Sequence, residues 1–138
     1  FKQYVQYTMR MKTPPAFDAL DLSSGENDLF GTATVAAKHF TAYGMNNGSA
    51  KGTMADAQAI KMMNPMSYIG AKDANNAQHW RIRHGTIDRD TSLAIPVILA
   101  TKLQQSGKHV DLALPWNRPH SGDYDLDELF TWVEQITR

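Results

Sequence analysis

From Pro65 onward the chain alternates short apolar strands with helical stretches, and that rhythm narrows the architectures open to it. His79-Trp80-Arg81-Ile82-Arg83 predicts a strand closed by Gly85, and Val110 to Leu114 predicts a second, closed by Pro115. Between them Thr91 to Ser106 carries a helical pattern ending at Gly107. Pro96 sits awkwardly inside it, so this helix either starts late or kinks. From Asp125 a last helix shows one apolar stripe, Leu126, Leu129, Phe130, Val133 and Ile136. Asp125 and Glu128 have N-cap and N3 spacing at its start. Two strands joined through a helix point to a parallel βαβ unit of the α/β class. Two strands alone cannot bury such a helix pair, so this half reads as the edge of a bigger sheet.

Upstream of Asn64-Pro65 no convincing sheet is visible. Leu29, Phe30, Ala33, Ala37, Phe40 and Tyr43 recur at helical spacing and predict a helix from Asn27 to Tyr43. Ser23 and Glu26 have capping-box spacing before it, and Gly44 suits the residue after its end. Met45 to Gly52 is turn-rich, and a second helix is expected from Met54 to Met63, with Thr53 as N-cap and Pro65 as stop. Val5 and Tyr7 hint at extended chain before the Pro14-Pro15 break.

Composition excludes several function classes. Fourteen Lys+Arg balance 14 Asp+Glu in 138 residues, which leaves no basic footprint for nucleic acid. No apolar run approaches the ~20 residues of a membrane span. With no cysteine, disulfides, thiolate metal sites and a cysteine nucleophile are ruled out, and a reducing, cytoplasmic setting is favoured. The chain opens Phe1-Lys2-Gln3 without methionine or signal-peptide pattern, which leads to the expectation that it begins inside a longer protein.

In an open parallel sheet, ligands and catalytic groups collect beyond the carboxyl ends of the strands. The two loops there are the most polar candidates, His84-Gly85-Thr86-Ile87-Asp88-Arg89-Asp90 and Trp116-Asn117-Arg118-Pro119-His120-Ser121-Gly122. Adjacent strands would bring an Asp of the first within reach of His120 in the second. A carboxylate and an imidazole form the acid–base half of a Ser-His-Asp triad. Capping of the following helix by Asp88 or Asp90, and a loop role for His120, fit the same residues. Met54, Met62, Met63 and Met66 suit helical core packing better than an adaptable pocket. Trp80 reads as core, and Trp116 is a candidate to flank the site. His79 and His84 lack a third residue at metal-ligand spacing, so no metal or other cofactor is expected.

HGTIDRDTS followed by a helix, then LALPWNRPHSGDYD and a closing helix, resembles the C-terminal end of the α/β-hydrolase fold. More narrowly, the chain resembles the C-terminal part of the bacterial tannases (tannin acylhydrolases), serine esterases that hydrolyse galloyl esters. The resemblance is strongest over residues 79–138 and extends to Lys12 and Glu26. It implies that residues 66–138 are the C-terminal part of the hydrolase core and 1–65 the end of an inserted, largely helical lid. It further implies Asp88 as triad acid, His120 as general base, and Lys12, Glu26 and Asp90 as partners of the galloyl hydroxyls. No G-x-S-x-G elbow occurs here, and Ser49 and Ser121 lack its setting. The nucleophilic serine and oxyanion hole are therefore expected in an N-terminal part of the same enzyme, with the isolated chain inactive. The alternatives are a feruloyl esterase, a prolyl-oligopeptidase-like peptidase, or a non-catalytic fragment docking through its sheet edge.

Overall fold

Two strands of five residues each, β1 (His79–Arg83) and β2 (His109–Ala113), pair in parallel with His79 opposite His109 and Arg83 opposite Ala113. The computed structural model describes residues 17–120 and 124–138. Lys12, Val5, Tyr7, the Pro14-Pro15 break and Ser121 lie outside them. β2 begins and ends one residue before the expected span. The connecting helix, Ala94–Gln105, starts late, so Pro96 falls in its first turn where no intrahelical donor is missed. Gly107 follows its end at φ +75°. The closing helix is Leu126–Thr137.

Asp125 stands at the N-cap position of that helix but makes no cap bond. Its carboxylate instead accepts from Arg81 Nη2 at 2.6 Å and Arg83 Nε at 3.1 Å. Glu128 also turns to Arg81. The expected capping box is thus replaced by an ionic clasp between strand and helix, which Arg83 extends to Asp111 at 2.7 Å.

The expected helix from Asn27 to Tyr43 does not form. Its place is taken by α1 (Gly25–Leu29), a loop, and α2 (Ala42–Asn47). The cause is Asp18, which is fully buried. One of its oxygens accepts from Asn27 Nδ2 at 2.8 Å and His39 Nδ1 at 2.7 Å. The other takes the backbone N–H groups of Phe40 and Thr41 and the Thr41 hydroxyl, at 3.0, 2.8 and 2.7 Å. Those amides, drawn to a carboxylate, are unavailable to a helical ladder. Phe30 and Phe40 still meet, stacked at 4.3 Å between ring centres, but across a loop rather than along a helix. Gly44 lies inside α2, where a Cβ would fall 2.3 Å from the Asp18 carboxylate. The cap of α1 is Ser24, not the expected Ser23.

Burial pushes the Asp18 carboxyl up, but its hydrogen bonds from Thr41, His39 and Asn27 outweigh this and hold it at about 2, against 3.8 ordinarily. Asp18→Asn is expected to speed hydrogen exchange at the Phe40 and Thr41 amides by about 10²-fold, or about 3 kcal/mol of local stability. Unchanged exchange would show that the carboxylate does not hold this backbone. The folded pKa lies below the unfolded one, so the protection is present well above pH 3.8 and is lost as pH falls toward about 2.

The other upstream helix, α3 (Ala57–Met63), starts later than expected, with Asp56 rather than Thr53 as its cap. Met54 is held instead in a bridge with His39. Pro65 ends α3 and opens a 3-10 turn, Pro65–Ser67. We label Ala94–Gln105 α4 and Leu126–Thr137 α5. Among the described residues the buried apolar side chains are Ala55, Ile69, Pro96, Ala100 and Leu103. Met62, Met63, Phe130 (67% exposed), Ile98 and Val133 face outward, so the methionine core reading is corrected and the α5 stripe is not covered. Trp80 is half-buried and donates from Nε1 to Ala77 O. No helix among the described residues is long and apolar enough to cross a membrane.

Candidate active site

Both polar loops leave the carboxyl ends of β1 and β2, and hydrogen bonds stitch them together. Thr86 N donates to Pro115 O at 3.0 Å, Ile87 N to Arg118 O at 3.1 Å, and Asn117 N to Thr86 Oγ1 at 2.6 Å. Asn117 takes φ +55°, a left-handed turn that asparagine tolerates. Gly85 sits where the loops touch: a Cβ there would lie 2.0 Å from Arg118 O.

This stitching brings His120 Nδ1 to 2.9 Å from Asp88 Oδ2. Asp88 is buried, and its Oδ1 accepts from the backbone N–H of Asp90 at 2.8 Å and of Thr91 at 3.1 Å. It therefore does cap the turn before α4, and it pairs with His120 as well; the two readings are not exclusive. Asp90 caps nothing. Burial pushes the Asp88 carboxyl up, yet hydrogen bonds from His120, Thr91 and Asp90 bring it below the usual carboxylate value. An ionised Asp88 accepting from Nδ1 fixes the orientation and tautomer of the His120 ring, whose side chain is 59% exposed.

The Asp90 carboxylate is exposed, and one ligand atom each from Asp88, Asp90 and His120 lie within 4.8 Å of one another. Such a trio offers a cation two oxygens and a nitrogen. With Asp88 already accepting three N–H bonds, the arrangement is a carboxylate–imidazole pair with an acidic neighbour.

A cavity of about 320 Å³ opens beside the pair, walled by Pro96, Leu99, Pro119 and Tyr124. Arg118 lies 5.6 Å from the centre of the Tyr124 ring. A second cavity of about 560 Å³ shares Ile95 and Leu99 with the first and is lined by Phe30, Phe40, Met63, Met66 and Glu26. Glu26 thus borders the adjoining cavity and not the pair itself. Neither Glu26 nor the Asp90 side chain has a hydrogen bond or ion pair among the described residues. Trp116 is 78% exposed and lines neither cavity. His84 and Gly85 carry more of the site than their sequence suggested; the HG step at a strand end was the available signal.

No family model matches the chain, and no curated protein does. Solved structures do. A tannin acyl hydrolase from Lactobacillus plantarum is 51% identical over 99% of this chain and 30% of its own, at TM-score 0.89. A tannin acyl hydrolase in complex with ethyl gallate matches at 51% identity over 99% of this chain and 30% of its own, TM-score 0.87. The Fusobacterium nucleatum tannase matches at 53% identity over 94% and 28%, TM-score 0.79. The chain spans less than a third of the length of each. Its mixed helices and small parallel two-stranded sheet are those of a tannase homologue. With half its residues identical over nearly its whole length, the chain belongs to the tannase (tannin acyl hydrolase) family.

Proposed function

We propose that this chain is the acid–base part of a serine esterase that hydrolyses galloyl esters to gallate and an alcohol. The observation that carries the reading is the 2.9 Å bond between His120 and a buried Asp88 locked by two backbone N–H groups. A fragment that merely docked to a partner would have no use for that bond. Residues 66–138 form the C-terminal part of an α/β-hydrolase core, and 1–65 the end of a lid inserted in it. The outward apolar faces of α4 and α5 fit against the N-terminal part of the same enzyme, which brings the serine and the oxyanion hole.

In the assembled enzyme His120 Nε2 takes the proton of the serine hydroxyl as its oxygen attacks the ester carbonyl. Asp88 holds the imidazole with its proton on Nδ1 and stabilises the imidazolium. The same nitrogen then delivers the proton to the departing alkoxide. Water repeats the sequence on the galloyl-enzyme and releases gallate. Neither step proceeds in the isolated chain, because the attacking oxygen is absent from it.

Galloyl recognition falls to Asp90, Glu26 and Lys12. Carboxylates accept phenolic O–H bonds well, an ammonium donates to phenolic oxygen, and the carboxylates of Asp90 and Glu26 have no hydrogen-bond or ion-pair partner among the described residues. Complexes of related tannin acyl hydrolases with ethyl gallate and 3,4-dihydroxybenzoate support this class of ligand. Asp90→Ala in the complete enzyme is expected to cut kcat/KM on a gallate ester at least about 10²-fold more than on the matching benzoate ester. Equal losses on both would refute the hydroxyl role.

A further inference from the structure

His84 stands immediately after β1 and is buried. Its Nε2 lies 3.0 Å from Thr91 O. A carbonyl only accepts, so this nitrogen carries the ring proton and donates it. The same Nε2 is 3.6 Å from Asp88 Oδ2, the oxygen that faces His120; this is too long for a hydrogen bond but places the ring edge beside the carboxylate. Nδ1 of His84 is buried and makes no hydrogen bond among the described residues. An apolar side chain would fill the same space without an unused acceptor, so packing does not account for the imidazole. What the ring supplies is the Nε2–H.

That bond acts on Asp88 through the backbone. Thr91 gives its N–H to Asp88 Oδ1 and its carbonyl to His84. The loop from 84 to 91 is therefore closed at both faces of one peptide residue. With the carbonyl pinned, the N–H is aimed at Oδ1, and the carboxylate plane turns Oδ2 toward His120. We propose that His84 is a positioning residue for the triad acid, which sets the rotation of the Asp88 carboxylate through Thr91 and so the strength of its bond to His120. The inference rests on the reading of Asp88 and His120 as a catalytic pair.

An asparagine–glutamine comparison in the complete enzyme separates this role from bulk. The amide nitrogen of glutamine reaches the place of Nε2 and can donate to Thr91 O, whereas asparagine falls short at the place of Nδ1. His84→Asn is expected to lower kcat on an alkyl gallate by about 10²-fold with KM little changed, the cost of a misplaced catalytic group. The low-field N–H signal of His120 should weaken in the same variant. His84→Gln is expected to keep both. If His84→Asn does not accumulate as folded protein, His84→Ser, which also falls short of Thr91 O, replaces it. Equal effects of the short and long side chains, or a loss of kcat with the His120 signal intact, would overturn the proposal. His120→Ala is run beside them: if it stays active, the pair reading itself fails. If it is inactive while His84→Asn works normally, only the role of His84 falls.

Discussion

Asp88→Asn in the complete enzyme is expected to lower kcat on an alkyl gallate by about 10⁴-fold, with little change in KM or folding. The neutral amide retains the shape of the carboxylate and can accept the two N–H bonds from Asp90 and Thr91 through its oxygen. Its NH₂ group then faces Nδ1 of His120, and the imidazole answers by moving its proton to Nε2. In the proposed mechanism this is the nitrogen that takes the serine proton, and it is thereby occupied. Steady-state rates on propyl gallate check this, together with a thermal transition to exclude unfolding. A variant that keeps near-normal turnover would remove Asp88 as triad acid and leave Asp90, or neither, in the role.

Gly85→Ala should also be damaging, although the residue carries no side chain that could act on a substrate. A Cβ would stand 2.0 Å from Arg118 O and 2.5 Å from Pro119 O, both backbone atoms that no side-chain rotation can clear. The loop holding His120 must retreat, and the Ile87–Arg118 bond that registers it is lost with it. Misplacement of a catalytic group by about 1 Å costs on the order of 10²-fold in rate. The expected result is a loss of at least that size in kcat. Full activity in the alanine variant would show that the loops can separate without harm, and that the stitching is incidental to the pair.

The downstream half was legible because its pattern is set by local period. β1, β2, α4 and α5 fall within a few residues of their expected bounds, and strand order alone put an Asp of one loop beside His120. The upstream half was misread because its organiser is a polar side chain. Nothing in the spacing of Phe30, Ala37 and Phe40 announces that Asp18 claims the amides between them, and a buried carboxylate outcompetes an apolar stripe for backbone donors. The same blindness hid the clasp of Asp125, whose N-cap spacing was right and whose partners, Arg81 and Arg83, lie some forty residues earlier. His84 looked like a loop histidine without metal partners. Its bond to Thr91 is a property of the loop's curvature, which residue type does not encode.

The pairing of β1 with β2 also serves as a ruler. Asp88 and His120 are counted out from neighbouring strand ends, so a slip of one rung would shift one loop along the other by about 3.3 Å. That displacement exceeds the length of the bond between them. It would also turn Asp111 away from Arg81, its partner across the ladder, and break the clasp on Arg83. Misregistered chains would forfeit ionic contacts and proton chemistry together, so the arginines on β1 act as proofreaders of the alignment on which the acid and the base depend.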